Sequence, residues 1–167
     1  MAFSSGDFRN ALGAFPTGVA VITARGPDGA LHGMTVSSFN SVSLDPPLVL
    51  VSLIAGSYPA EVLSRPSLPA AQFAVTVLAS SQKLLAGQFA AAGRPSARRI
   101  LDEVPHTRGA ESGALIPLGG LAALECSVAR RVPAGDHLLV ISAVTSVAYV
   151  AEAGDPLIRF RGRYPAH

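Results

Sequence analysis

Cysteine is nearly absent. The 167 residues hold one, Cys126, so no internal disulfide can form. Its setting, LAALEC, reads as a core strand, which predicts a buried, inert thiol rather than a nucleophile. Charge is sparse and balanced: 13 Lys+Arg against 11 Asp+Glu leave a net charge of +2, and Lys83 is the one lysine. Nucleic-acid binding wants a basic stripe, which this chain lacks. The mild positive bias still suits an anionic ligand. No apolar run reaches the ~18 residues that suggest a membrane span. The start, MAFSSGDFRN, has neither the basic flank nor the apolar run of a signal peptide. A soluble, cytoplasmic protein is the default expectation.

Several catalytic signatures are missing too. No GxGxxG follows a strand and opens a helix, and there is no GxxxxGK[ST], so neither a Rossmann site nor a P-loop is supported. His32, His106, His137 and His167 lack metal-ligand spacing, so no metal site is predicted. No GxSxG elbow occurs, and the acidic residues are scattered. If the chain is an enzyme, a bound cofactor supplies the hard chemistry.

The residues that are present are 49% apolar, enough for a core. The length fits one domain over residues 1–167. Phe8, Leu12 and Phe15 fall on one helix face, with Ser5 or Asp7 as cap and Pro16 as stop. Val19–Ala24, turn Gly26–Gly29 and Ala30–Val36 read as a hairpin. Leu48–Leu53 and Gln72–Leu78 read as strands, and Tyr58–Ser64 as a short helix. Ser80 or Ser81 is expected to cap a helix carrying Leu84, Leu85 and Phe89. Residues 91–118 read as a long loop. Leu121–Val132, turn Pro133–Asp136 and His137–Val150 form a second hairpin, and Leu157–Arg161 a last strand. Strands dominate, so a mainly β, antiparallel barrel with peripheral helices is predicted.

The richest segment is GMTVSSFNSVSLDPPLVLVSL, residues 33–53. Small hydroxyls flank a rigid Asp45-Pro46-Pro47 corner and a core strand, which suits a phosphorylated, partly apolar ligand. Thr35, Val36, Ser37 and Ser38 sit where a strand ends, and Ser52 where the next one ends. Filling an exposed turn is the competing role for these hydroxyls. Ser57 is either a contact or a helix cap. Gln82 and Phe89 share a helix face, with core packing the plainer role for Phe89. Arg98 and Arg99 could clamp phosphate or simply face solvent. Asp136 is placed to orient His137. Alternation puts Arg159, Arg161 and Arg163 on one face, which also describes a solvated edge strand.

FPTGVAVIT, HGMTVSSFNSVSLDPPLVLVSL, QFAVTVLASSQKLLAGQFA, LEC, GDH and FRGRY occur in one order. Over residues 8–164 the chain resembles the flavin reductase family, with its FMN-binding split-barrel fold. That resemblance implies an NAD(P)H:flavin oxidoreductase that passes hydride to FMN or FAD and feeds a flavin-dependent monooxygenase. It implies flavin contacts at Thr35 to Ser38, Ser52, Leu53, Ser57 and Tyr164, with Gln82 to Phe89 bordering the phosphate. It places His137 near the nicotinamide as the catalytic residue, and a homodimer around the flavin. Relatives carry an Asp-Arg/Lys-Phe segment after the helix; here AAGRPSARRILDEV puts Arg99-Ile100 in its place. Two other readings keep the barrel: a non-catalytic flavin- or partner-binding protein, and an oxidase or oxygenase that retains its flavin.

Overall fold

The computed structural model describes residues 2–65 and 71–165. His167 and part of the Ser64–Gln72 connection lie outside them. In chain order the elements are α1 (Ser5–Gly13), β1 (Thr17–Gly18), β2 (Ala20–Arg25), β3 (Leu31–Val36), β4 (Asn40–Leu44), β5 (Pro47–Ile54), α2 (Tyr58–Ser64) and β6 (Gln72–Val77). A 3₁₀ turn (Ser80–Gln82) leads into α3 (Lys83–Ala90) and α4 (Ala97–Ile100). Then come β7 (His106–Arg108), β8 (Leu115–Pro117), β9 (Ala122–Ala134), β10 (His137–Val150) and β11 (Ile158–Arg159).

Seven strands form one antiparallel sheet in the order β3-β2-β6-β9-β10-β5-β4. The two ends of that order share one core. Met34 and Val36 of β3 pack in the same cluster as Val49, Val51 and Leu53 of β5, together with Phe73, Val75 and Val140. The sheet therefore curls around its own apolar face. Among the described residues the hydrogen-bond ladder does not close, since β3 and β4 both remain edges. The mainly β, antiparallel class expected from the sequence is what is seen, with the barrel split rather than sealed.

A second cluster lies on the outer face. Val19, Val21, Leu31, Leu78, Leu85, Phe89, Ile100 and Leu101 meet there under α3 and α4. Strand β2 is consequently buried on both sides, which explains why VAVITA is a continuous apolar run rather than an alternating one. Gly33 lets α3 approach β3: a Cβ there would collide with the Phe89 ring. Thr35 adds a bond across the same seam, its hydroxyl donating to Ala86 O at 2.7 Å.

Several expectations need correction. Ser4, not Ser5, caps α1; its hydroxyl accepts from Asp7 N and the Asp7 carboxylate accepts from Ser4 N, forming a capping box. α1 buries none of its residues; Phe8, Leu12 and Phe15 are 52%, 60% and 73% exposed, and the Phe8 ring stacks on Phe3 with 6.3 Å between centroids. Neither Ser80 nor Ser81 caps the next helix; Gln82 turns back so that its Oε1 accepts from Ala79 N at 3.2 Å. Residues 91–118 are not a featureless loop: they hold α4, β7 and β8, and bury Leu101, Ala114 and Ile116. Strand β4, absent from the sequence reading, pairs with β5 across the Asp45-Pro46 corner. The arginine face at 159–163 does not form. Arg161 has φ 48° and Phe160 bridges Arg163 in a tight turn, so period-two alternation stops after Arg159.

Candidate active site

The open side of the sheet places the candidate site. β3 leaves its partner β2 after Val36, the last residue of their register. β5 ends at Ile54, and β10 begins directly opposite it, with His137 paired to Ile54. The mini-sheet of β1 and β11 pairs Thr17 with Arg159 and brings the C-terminal turn over the same opening. Between these ends lies a cavity of about 320 Å³, within the range of small-molecule sites. Its walls gather Thr35, Val36, Ser37, Ser38, Ser52, His137 and Tyr164, seven of the twelve residues nominated from the sequence.

Hydroxyl by hydroxyl, the duties differ. The Thr35 hydroxyl is committed to Ala86 O, as above. Ser38 Oγ donates to Ser52 O at 2.9 Å and accepts from Ser52 N at 3.0 Å. The hydroxyls of Ser37 and Ser52 have no protein partner among the described residues, so they are the two serine hydroxyls free to meet a ligand. His137 Nδ1 lies 2.7 Å from Asp136 Oδ1, on a ring held at the start of β10 by the two-residue Gly135-Asp136 loop. Gly135 takes the positive φ (62°) such a loop requires. The hydrogen bond from His137, aided by its charge, holds the Asp136 carboxyl below its ordinary value. With Nδ1 engaged, Nε2 is the ring nitrogen left for a ligand.

Five nominated residues lie outside this lining. The Leu53 side chain is fully buried in the inner core. Ser57 caps α2, its hydroxyl accepting from Ala60 N at 3.4 Å. Gln82 caps the 3₁₀ turn and donates to Leu118 O at 2.9 Å. Phe89 is fully buried beneath Gly33. Arg99 stands exposed on α4, its backbone N–H donating to Ser96 Oγ.

Six lining residues were not nominated: Val19, Met34, Ile54, Ala90, Arg159 and Gly162. Met34 and Ile54 sit in or beside the hydroxyl-rich segment and could have been chosen as its apolar neighbours. Ala90 carries no signal in the sequence. A wider groove of about 920 Å³ adjoins this cavity along α1, and the two share Ser37, Arg159 and Gly162.

The donor set can be tested against a ligand. Apolar walls from Val19, Val36, Met34 and Ile54 suit a flat ring. Ser37, Ser52 and His137 suit its polar edge. Arg159 is exposed at the rim and has no ion-pair partner among the described residues, so it is available to an anionic tail. No group of metal-type side chains forms among the described residues. The fit is to an aromatic, phosphorylated ligand.

Similarity to known proteins decides the family. The model of the flavin reductase like domain matches residues 12–167. The chain belongs to this family. A similar relative is the FMN reductase (NADH) SmoA of Agrobacterium fabrum, 44% identical over 92% of this chain and 81% of SmoA. Among solved structures, the NADH:FAD oxidoreductase SgcE6 of Streptomyces globisporus, in complex with NAD and FAD fragments, is 34% identical with a TM-score of 0.84. The match covers 97% of this chain and 92% of SgcE6. The styrene monooxygenase flavin reductase of Pseudomonas putida S12 is 36% identical with a TM-score of 0.79, covering 95% and 96%. For a flavin reductase-family chain, the aromatic ligand expected from the cavity walls is a flavin.

Proposed function

We propose that this chain is an NADH-dependent flavin reductase that supplies reduced FMN or FAD to a separate monooxygenase. The observation that carries the proposal is the cavity where Ser37, Ser52 and His137 converge between apolar walls, in a chain similar over nearly its whole length to NADH-dependent flavin reductases. Bound flavin supplies the acceptor for a hydride from the nicotinamide. Ser37 and Ser52 would hold the polar edge of a bound flavin, while Val36, Met34 and Ile54 would shield it from water. Arg159 draws in phosphate. Tyr164 closes the wall from the C-terminal turn. His137 Nε2 orients the nicotinamide carboxamide, and Asp136 holds the imidazole. The hydride carries both electrons of the bond that breaks, so alignment is the protein's main task and no strong acid or base is required. This agrees with the scattered acidic residues.

Residues 1–167 are read as one domain, since both core clusters lie against one seven-stranded sheet. A homodimer is part of the reading. α1 buries none of its residues, yet presents Phe8, Leu12 and Phe15 beside the groove that adjoins the cavity. A contiguous apolar face of this kind marks an interface. No helix among the described residues is long and apolar enough to cross a membrane. A cytoplasmic location goes with the use of NADH.

The test is to mix purified protein with FMN or FAD and follow nicotinamide absorbance with NADH and with NADPH. Faster turnover with NADH is expected. No turnover with either flavin overturns the proposal. Tightly held flavin that oxidises another substrate instead would identify an oxidase on this fold. Light scattering reads the assembly: Phe15→Asp is expected to convert dimer to monomer, and a monomeric wild type removes the dimer.

A further inference from the structure

The Ser38–Ser52 contact occupies an unusual place in the sheet. β4 and β5 pair Asn40 with Leu50 and Ser41 with Val49. Continued by two residues, the same register would set Ser38 opposite Ser52. The main chain does not continue there. It leaves strand geometry after Val36 and regains it only at Asn40. In place of the missing backbone rung, one side-chain oxygen serves both polar groups of Ser52: Ser38 Oγ donates to its C=O at 2.9 Å and accepts from its N–H at 3.0 Å. The Ser38 carbonyl is held in turn by Asn40 Nδ2 at 3.0 Å. Both serines line the cavity.

We infer that Ser38 is a positioning residue, a hydroxyl clasp that joins the corner after β3 to the end of β5 across the split in the sheet. The inference rests on the flavin reading of the cavity and separates the roles of its serines. Ser38 sets the floor, while Ser37 and Ser52 keep free hydroxyls for the ligand. The physical case is one of satisfaction. The open ladder leaves the N–H and C=O of Ser52 without strand partners on this side, and part-buried backbone groups are costly when unpaired. A ligand alone cannot serve both groups in the empty cavity. A side-chain hydroxyl, at once donor and acceptor, can. It also lets the backbone of residues 37–39 turn away and open the space the ligand needs. A continuous β-rung would satisfy Ser52 equally well but would close that space.

The test uses the flavin-free full chain, hydrogen exchange at the Ser52 amide, and flavin affinity by fluorescence quenching with FMN. Ser38→Ala is expected to speed Ser52 exchange at least tenfold in the absence of flavin and to weaken FMN affinity about tenfold. Ser38→Thr keeps the hydroxyl on the same carbon and is expected to restore both. Wild-type exchange in Ser38→Ala overturns the clasp. So does weakened affinity with unchanged exchange, because Ser38 would then be a direct ligand contact. Should Ser38→Ala fail to fold, Ser38→Thr decides alone: wild-type protection and affinity support the clasp, and a folded variant lacking both refutes it. Wild-type protein that binds no flavin would refute the proposed function, while the exchange measurement would still judge the clasp.

Discussion

The seam between β3 and α3 makes a sharp energetic prediction. A methyl group at Gly33 would run into the Phe89 ring and lie 3.2 Å from Ile22 O. The Phe89 ring is fully buried and shares its cluster with Leu31, Leu85, Ile100 and Leu101, so it has nowhere to go. Gly33→Ala should therefore destabilise by about 1–3 kcal/mol through overpacking, offset by roughly 0.5–1 kcal/mol from the stiffer unfolded chain. Phe89→Ala should cost about 3–5 kcal/mol by leaving a cavity. In a chain of this length, that lowers the melting temperature by roughly 6–20 °C. The double variant is the decisive measurement. With the ring gone, the methyl added by Gly33→Ala enters the vacated space and its penalty largely disappears. Only the Ile22 carbonyl still crowds it. The double variant should be more stable than the sum of the single losses predicts, by about 1 kcal/mol or more. Urea unfolding followed by far-ultraviolet circular dichroism would measure all three. Strict additivity would refute the claim that Gly33 is small because Phe89 lies on it.

Other predictions concern separate groups. Glu125 is almost fully buried: burial pushes its carboxyl up, but hydrogen bonds from the Ser112 hydroxyl and the Ser112, Glu111 and Ala110 backbone outweigh this and hold it below 4.5. The stability it provides is thus fully present above about 4.5 and is lost as pH falls through the lower folded value. Glu125→Gln should reduce neutral-pH stability and flatten the acid limb of the unfolding curve below the ordinary carboxyl value; an unchanged acid limb would contradict this. The Cys126 thiol is pushed up to about 12, first by burial and then by the Glu125 charge. It should resist thiol reagents in the native protein and label at once in denaturant, and rapid native labelling would count against its burial. His137→Ala should raise the NADH Michaelis constant about tenfold or more while leaving FMN affinity within a few fold. Equal kinetics would remove His137 from nicotinamide binding.

Much of the fold can be read from local signals. The Gly26–Gly29 and Pro133–Asp136 turns predict the two hairpins, and both form, the second with its loop narrowed to Gly135-Asp136 because Pro133 and Ala134 pair within β9. Tyr58–Ser64 is helical to the residue. Short-range chemistry decides these elements, because a turn glycine or an apolar period acts within a few residues. Strand β4 escaped notice because its serines lack alternation, and only pairing with β5 makes it a strand. Residues 91–118 escaped because their order comes from distant contacts: Thr23 Oγ1 donates to Leu115 O, and Glu125 holds the turn at Ser112.

The candidate site divides in the same way. The sequence alone determined which segment is rich in hydroxyls and that Asp136 adjoins His137. Which hydroxyls remain free is a tertiary decision. Thr35, Ser38 and Ser57 spend theirs on Ala86, Ser52 and the α2 terminus, whereas Ser37 and Ser52 do not. Phe89 and Leu53 went to the core for the same reason. A side chain's role depends on what packs against it, and those neighbours are tens of residues away along the chain. Only the curled sheet brings residues 35–38, 52, 137 and 164 to one cavity.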